Sequence, residues 1–265
     1  MALQLILGGA GRGKTHYIEQ KVTREAVRHP EKQYFVVVPE QFTMQTQKNL
    51  VMLSKRKGLL NIEVQSFLRL AFRIFGETGT RNVPVMDDMG KTMILKKVLL
   101  NEQNQLGYFK DHIHKKGYIS EIKSFLSELM QYGVEEEQLD AMMETAAGHP
   151  VLRQKLADMK VAYDAFLKYI QNHYITSEEV LAVFADVVGK SELLRGAEIY
   201  LDGFTGFTPL QYRLIRELMR VCGQMYVTVA LDPRESIWHL DEPYKLFHMS
   251  KKMIARLRKI AQEEQ

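Results

Sequence analysis

The sequence predicts an α/β protein in which a parallel sheet covered by helices is interrupted by a helical insertion. Short apolar runs alternate with segments of helical spacing over about the first 85 residues, and the same alternation returns near residue 195. Between them, helical spacing repeats without a convincing strand. Strands that alternate with helices form parallel sheets, and 265 residues exceed a typical single domain. We therefore expect two structural units, one inserted into the other.

The N-terminal part of the chain carries the first alternation of strands and helices. Strands are predicted at residues 3–7, 34–38 and 62–64, and helices at residues 14–28 and from Ser66 onward. The first strand ends in glycines, which is typical of a tight turn. The second strand ends at Pro39, because proline cannot extend a central strand.

The middle of the chain, residues 86–194, is predicted to be all-helical. Its clearest pattern places apolar residues at helical spacing, at Leu152, Leu156, Met159, Tyr163, Phe166 and Ile170. Residues 176–179 (Thr-Ser-Glu-Glu) have the spacing of a capping box and open a further helix. That helix is expected to direct Val180, Leu181 and Phe184 inward.

After this block the alternation of strands and helices returns. We predict a strand at 198–201, a helix started by Thr208 and Pro209, and a strand at 225–231. A basic amphipathic helix follows residue 245. The predicted domains are a sheet domain over 1–85 and 195–242, a helical insertion over 86–194, and a C-terminal basic helix over 243–265.

Composition excludes several classes of protein. A net charge of +4 is mild and does not by itself indicate a nucleic-acid partner. No apolar run approaches the roughly 18 to 20 residues that a membrane span needs, and the start lacks the features of a signal peptide. We expect a soluble cytoplasmic protein with no membrane partner. The single cysteine, Cys222, is expected to fill apolar space near a helix end.

The strongest functional signal is a glycine-rich segment with the spacing of a P-loop, placed between a predicted strand and a predicted helix. It consists of Gly8, Gly9, Ala10, Gly11, Arg12, Gly13, Lys14 and Thr15. Backbone N–H groups of such a loop form a concave nest for phosphate oxygens. Lys14 is expected to reach the β and γ phosphates, and Thr15 to hold Mg²⁺. The alternative, a glycine-rich turn with a chance lysine, is disfavoured by this strand–loop–helix context.

A second candidate group follows the strand at 198–201. Asp202 ends an apolar strand of the same sheet, which is where P-loop proteins carry an aspartate that holds Mg²⁺. A hydrolysing enzyme also needs a carboxylate to deprotonate the attacking water, and the next residue here is Gly203. These residues alone leave open whether Asp202 serves a metal or is a plain loop aspartate.

Three segments resemble motifs of the UvrD-like superfamily 1 helicases. Asp202, Phe204 and Gln211 match a motif in which Asp-Glu and an aromatic precede a glutamine. Residues 231–238 (Leu-Asp-Pro-Arg-Glu-Ser-Ile-Trp) resemble a strand-ending Gly-Asp followed by Gln-Ser-Ile-Tyr, and residues 64–71 resemble a Thr-X-His-Ser-Phe segment.

This resemblance implies a RecA-like P-loop sheet domain (1A-like) that carries a helical subdomain (1B-like). It places Asp232 and Glu235 beside Asp202 at the nucleotide. Several residues depart from the pattern. Gly203 replaces the catalytic acid, Thr205 and Gly206 also do not match, and Glu235 replaces a glutamine that senses the γ-phosphate.

Residues 38–43, 66–71 and 201–209 are similar to the N-terminal region of AddB, the second subunit of the AddAB (RexAB-like) helicase-nuclease. The likeness covers essentially the whole chain, and AddB subunits are much longer, so we expect an N-terminal fragment. It implies AddA as a heterodimer partner and DNA ends and single-stranded DNA as ligands, with recognition of the sequence Chi in bacterial subunits. The exonuclease domain and the four-cysteine iron–sulfur site of AddB are expected beyond residue 265.

Two departures shape the expected mechanism. Active helicases of this class read adenine with a glutamine motif upstream of the P-loop, and only seven residues precede Gly8. Loss of a general base typically lowers a rate by about 10² to 10⁴, and Gly203 supplies none. We expect a site that binds ATP and Mg²⁺ but hydrolyses ATP slowly, so no catalytic residue is assigned.

Candidates for DNA contact are aromatic, amide or basic residues of the motif-like segments: Gln41, Phe42, Gln65, Phe67, Arg69 and Trp238. Aromatic rings stack on bases and basic groups bind phosphates. Phe67 also has the helical spacing of a core residue.

We therefore expect the helicase-like region of a subunit that is an enzyme, an ATP-dependent helicase and deoxyribonuclease, only within its DNA-repair and recombination complex. One alternative is an active motor whose catalytic acid comes from elsewhere, such as Glu235. Another is a scaffold that positions DNA or its partner without nucleotide.

Overall fold

A computed structural model describes residues 2–54, 58, 60–80, 84–134, 136–171, 174–240 and 242–264. The strands are β1 (Ala2–Gly8), β2 (Tyr34–Val37), β3 (Ile62–Gln65), β4 (Val85–Met86), β5 (Ile175–Thr176), β6 (Glu198–Leu201) and β7 (Gln224–Ala230). The helices are α1 (Lys14–Arg28), α2 (Thr43–Leu53), α3 (Phe67–Thr78), α4 (Asp88–Asn101), α5 (Lys116–Tyr132), α6 (Glu136–Thr145), α7 (Pro150–Ile170), α8 (Ser177–Val187), α9 (Pro209–Val221) and α10 (His248–Glu263).

The chain divides into two compact units. The sheet unit comprises Met1–Thr80 and Leu181–Gln265, and the helical unit comprises Arg81–Val180. Both borders lie earlier in the chain than the expected ones at residues 85 and 195, and the C-terminal helix belongs to the sheet unit.

The sheet unit contains a five-stranded sheet of order β1-β7-β6-β2-β3, and all of its strand pairs are parallel. The predicted α/β class with a parallel sheet is therefore confirmed. β2 and β6 are buried along their whole lengths, as expected of strands covered on both faces. In a parallel sheet all carboxyl ends meet at one edge, so the segments after β1, β2, β6 and β7 are neighbours.

The core of the sheet unit includes three tyrosines on adjacent strands. Tyr200 stacks on Tyr226 with ring centroids 4.5 Å apart, and its hydroxyl donates to Glu198 Oε2 at 2.8 Å. Tyr34 donates its hydroxyl hydrogen to Glu25 O at 3.1 Å. Cys222 is buried as expected, and burial raises the pKa of its thiol to about 12.

Local signals place the helix starts correctly. α1 begins and ends at the predicted residues. At the start of α3 the Ser66 side chain accepts a hydrogen bond from Arg69 N. The capping box at residues 176–179 is present, with Thr176 N donating to Glu179 Oε2 at 2.7 Å and Glu179 N to Thr176 Oγ1 at 3.3 Å.

The prediction of an all-helical middle block is wrong at two short strands, β4 and β5, which form a parallel pair. Strands of two residues are too short to show a periodicity, and their partners lie far apart in sequence. The remainder of the helical unit packs α4, α5 and α7 around an apolar core that includes Leu95, Ile122 and Phe166. A buried ion pair, Lys91 with Glu178 at 2.9 Å, lies in the same unit.

Among the residues described by the structure, no helix combines the length and the apolar character needed to cross a membrane.

Candidate nucleotide-binding site

The glycine-rich loop connects β1 to α1 and has the backbone conformation that its glycines allow. Gly11 and Gly13 adopt φ values of 68° and 79°, a left-handed region that is unfavourable for residues with a Cβ. Residues 10–13 are exposed, whereas Gly8 is buried. The loop therefore presents its backbone to solvent at the start of a helix, where N–H groups lack helical partners.

Lys14 extends back across this loop. Its Nζ donates to Gly8 O at 2.8 Å and to Gly9 O at 2.9 Å. An ammonium group has three donors, so these two bonds hold the charge over the loop with capacity for an anion. Thr15 follows on the exposed side of the helix start.

The strand register brings the other predicted nucleotide residues to the same edge of the sheet. Gly8 pairs with Ala230, and Leu231 N donates to Gly8 O at 3.1 Å. Asp232 therefore follows immediately beside the loop. β6 is the next strand of the sheet beyond β7, and its Leu201 pairs with Val227. Asp202, which follows β6, therefore lies at the same edge one strand farther from the loop.

Asp202 is buried and held in place from two sides. Asp202 is only 5% exposed, and Thr228 Oγ1 donates to its Oδ1 at 2.5 Å. Its backbone N donates to Val37 O at 3.0 Å. The carboxylate is thus positioned by β7 and β2 rather than free in a loop.

A second carboxylate, that of Glu19 on α1, lies close enough to interact with Asp202. Glu19 is 4% exposed, and Asn49 Nδ2 donates to its Oε1 at 2.9 Å. Burial raises the pKa of Glu19; the hydrogen bond from Asn49 opposes this rise, and the negative charge of Asp202 adds to it. Two buried carboxylates, those of Glu19 and Asp202, thus lie near each other, an arrangement that a bound cation would stabilise.

Gly203 differs from a catalytic acid in backbone as well as in side chain. Its φ is 79°. A Cβ at this position would lie 3.6 Å from Pro39 Cδ and 3.7 Å from Phe42 Cδ2. These are ordinary contacts, so the backbone conformation, more than a lack of space, is what favours glycine here.

The two acidic residues after β7 are each paired with a cation. Arg234 contacts Asp232 through Nε at 3.1 Å and Nη2 at 2.8 Å, and these hydrogen bonds lower the pKa of Asp232 to about 2. Glu235 Oε2 lies 2.7 Å from Nζ of Lys251, a buried residue of α10. Both carboxylates are at the predicted edge, and neither is an unengaged base.

Five of the six residues predicted to contact DNA lie at the end of β3 or in the segments that follow β2 and β3, and the sixth, Trp238, follows β7. Gln41 and Phe42 form part of a short 3-10 helix, and Gln65 ends β3. Arg69 Nη2 lies 2.7 Å from Glu40 Oε1, so two motif-like segments are joined by an ion pair.

Two aromatic candidates have opposite environments. Phe67 is 5% exposed and packs against Phe204, with ring centroids 5.2 Å apart, which agrees with its core spacing. Trp238 is 73% exposed, and the guanidinium of Arg258 lies 3.9 Å from its ring centroid.

Sequence reasoning missed Glu19, Thr228 and Arg234. Arg234 carried a usable signal, because it stands two residues after Asp232, a spacing at which a short loop can join the two charges. Glu19 and Thr228 carried none, since each appears as an ordinary member of a helix or strand pattern. In the part of the chain that the structure describes, no three His, Cys, Asp or Glu residues converge as a metal site.

Fold and site together define an α/β protein with a glycine-rich strand-to-helix loop at the carboxyl edge of a parallel sheet. The chain belongs to the AddB N-terminal family: the family model described as "ADDB, N-terminal" matches residues 5–265. The resemblance inferred from the motif-like segments is thereby confirmed.

Relatives named as the B subunit of an ATP-dependent helicase/deoxyribonuclease support the same assignment. The chain is 43% identical over 261 residues to the protein of Lachnoclostridium phytofermentans, covering 98% of the chain and 23% of that relative. It is 34% identical over 267 residues to the protein of Desulforudis audaxviator, covering 99% of the chain and 23% of the relative. The chain thus spans less than a quarter of the length of these curated relatives.

Proposed function

We propose that this chain is the helicase-like, ATP-binding region of an AddB subunit that works with AddA in an ATP-dependent helicase and exodeoxyribonuclease. In this proposal the sheet unit is a RecA-like P-loop domain, and the complex processes DNA ends for repair and homologous recombination. The names of the relatives support the enzyme class. The parallel sheet and its edge support the domain assignment.

The observation that carries the nucleotide proposal is the loop from Gly8 to Lys14. Its left-handed glycines and exposed backbone suit a polyphosphate, and Lys14 already lies over it. Thr15 and Asp202 are the residues that would hold Mg²⁺, with Glu19 adding negative charge beside them. Bound MgATP would supply the phosphate charge that these groups recognise.

The proposal separates ATP binding from ATP turnover. Hydrolysis requires a carboxylate aligned with the attacking water, and position 203 holds a left-handed glycine. Asp202 is engaged by Thr228 and Glu235 by Lys251. An active motor using Glu235 as its base would have to break the pair with Lys251 first.

DNA contact is proposed for the exposed candidates at the edge of the sheet. Phe42 and Trp238 offer rings for base stacking, and Arg69 offers a charge for phosphate. Gln41 and Gln65 lie on the same segments. Phe67 is buried, so the proposal does not include it as a DNA contact.

The iron–sulfur site expected of AddB subunits needs four thiolates. This chain has one cysteine, Cys222, and it is buried. Its residues do not fit a cluster, so the proposal assigns none to them.

Calorimetric titration with MgATP tests the proposal, together with a steady-state ATPase assay. We expect binding by the wild-type chain and a turnover below about 0.1 per second, because typical enzymes turn over about 10 times per second and loss of the base removes at least about 10². Lys14→Ala should weaken binding roughly 10- to 100-fold. Lys48→Ala, an exposed change on α2, is the matched control and should have no effect.

Other outcomes would favour other functions. A turnover near 10 per second, with loss of unwinding by the AddA complex in Lys14→Ala, would indicate an active motor. Absence of binding at millimolar MgATP would indicate a scaffold that needs no nucleotide.

A further inference from the structure

A cavity of about 430 Å³ opens beside the glycine-rich loop. It is lined by Gly9, Arg12, Asp232, Pro233, Arg234 and Phe247. Two arginines and one aspartate line this space, and the carboxylate of that aspartate is already paired with Arg234. The cavity therefore has an excess of positive charge next to the loop.

Asp232 holds Arg234 in a defined orientation. Asp232 Oδ1 accepts from the backbone N of Arg234 at 3.0 Å and from its Nε at 3.1 Å, and Oδ2 accepts from Nη2 at 2.8 Å. This bidentate pairing uses one edge of the planar guanidinium. The other edge, between the two terminal nitrogens, retains the fork geometry that binds a phosphate.

Arg12 reaches the cavity from the loop side. Its Cγ runs beside Gly9, 3.6 Å from where a Cβ of Gly9 would lie, and its charge contributes to the low pKa of Asp232. The two arginines thus approach the same carboxylate from different segments. Lys14 donates to the carbonyl of Gly9, so the cavity adjoins the point at which the lysine crosses the loop.

We propose that Arg12 and Arg234 bind the terminal phosphate of a triphosphate on this loop and make the site prefer ATP over ADP. Asp232 acts as a positioning residue that presents the free edge of Arg234. This inference rests on the proposed nucleotide function and adds a specificity determinant to it. A site of this kind, in a chain with glycine at position 203, retains the triphosphate state instead of consuming it.

A different use of the cavity is also testable. Phe247 and Pro233 offer apolar surface on which a nucleotide base could stack. Inorganic tripolyphosphate has no base, and ADP has no third phosphate. Comparing ATP, ADP and tripolyphosphate therefore separates a phosphate subsite from a base subsite.

The experiment measures the affinities of these three ligands, with Mg²⁺, for the wild-type chain and for Arg234→Ala and Arg12→Ala. Arg234→Ala should weaken ATP and tripolyphosphate roughly 10- to 100-fold, as expected for charge-assisted hydrogen bonds, and ADP by less than about 3-fold. Asp232→Asn should also reduce the preference for ATP over ADP, but by a smaller factor than Arg234→Ala. Arg24→Ala, which changes an exposed arginine of α1, should leave all three affinities unchanged.

Arg234 is 90% exposed in its side chain, so its replacement should leave the fold intact, which circular dichroism checks. Equal losses for ATP and ADP, or no loss, would overturn the subsite. Losses for ATP and ADP without a loss for tripolyphosphate would assign the cavity to the base instead. Wild-type protein that binds tripolyphosphate but not ATP would contradict the proposed function and retain the phosphate subsite, whereas binding of neither would overturn both.

Discussion

At the scale of single residues, position 203 bears on the proposal that the site binds ATP without hydrolysing it. Gly203 follows the buried Asp202, and its backbone N lies 3.4 Å from Thr228 Oγ1. Its φ of 79° is a conformation that costs a residue with a Cβ about 1–2 kcal/mol. A glutamate introduced at position 203 would have to adopt this left-handed conformation, which is unfavourable for a residue with a Cβ.

Gly203→Glu is therefore expected to leave ATP turnover unrestored and to lower the free energy of unfolding. Gly203→Ala should destabilise by about 1–2 kcal/mol, measured by urea denaturation. Gly76→Ala is the matched control, because Gly76 lies within α3 in open space. That change should stabilise by about 0.5–1 kcal/mol. A Gly203→Glu protein that hydrolyses ATP like a motor would show that only the side chain was missing.

At the scale of elements, the start of α9 gives a structural role to Gln211, one of the residues that match a helicase motif. Thr208 Oγ1 accepts from Gln211 N at 3.3 Å, and Gln211 Oε1 accepts from Thr208 N at 3.0 Å. Pro209 occupies the first turn, where a missing N–H is harmless. Gln211 thus forms a reciprocal capping box, so its side-chain oxygen is committed to the helix start.

Thr208→Ala should lower the free energy of unfolding by about 1 kcal/mol, because a cap loses its hydrogen bond. Gln211→Ala should also destabilise while leaving ATP affinity unchanged, as measured by urea denaturation and calorimetry. Thr92→Ala in α4, which changes a half-buried threonine that caps no helix start, serves as the control for the threonine change. A large loss of ATP affinity in Gln211→Ala would mean that the glutamine leaves the cap to contact the nucleotide.

At the scale of the whole molecule, the sheet and the helical block each have a core of their own. The core of the sheet unit contains ionisable tyrosines in addition to aliphatic residues. Burial, reinforced by the charge of Glu198, raises the pKa of Tyr34 to about 12 and that of Tyr226 to about 12. The pKa of Tyr200 is also raised, first by burial and then by its hydrogen bond to Glu198.

These shifts predict alkaline destabilisation of the sheet unit. An ordinary tyrosine pKa is about 10, so the native state holds these protons more tightly than the unfolded chain. Their contribution to stability is complete below about pH 10 and is lost as pH rises toward about 12. Thermal unfolding followed across this range should show a falling Tm that Tyr226→Phe makes shallower.

Tyr132→Phe is the control for this experiment, because Tyr132 is exposed on the helical unit. It should leave the pH dependence unchanged. An identical slope for wild type and Tyr226→Phe would show that the buried tyrosines do not control alkaline stability.

Much of this protein was predictable from its sequence, because the signals are local. The bounds of α1 and β6 follow from apolar spacing between glycine, proline and capping residues, whose effects act within one or two helical turns. The loop from Gly8 to Thr15 is recognisable for the same reason. Family membership also followed from short segments, since motifs are contiguous.

Tertiary structure alone decided which charges meet at the sheet edge and which residues are enclosed. Thr228 reaches Asp202 across 26 positions of sequence, and Lys251 reaches Glu235 across 16. The β4–β5 pair joins segments separated by most of the helical unit. Such contacts depend on how packed elements bring distant residues together, which no local pattern encodes. The sequence by itself determined a glycine-rich loop with P-loop spacing in an α/β fold. Packing decided that the neighbouring carboxylates are hydrogen-bonded or ion-paired and that two arginines line the cavity beside the loop.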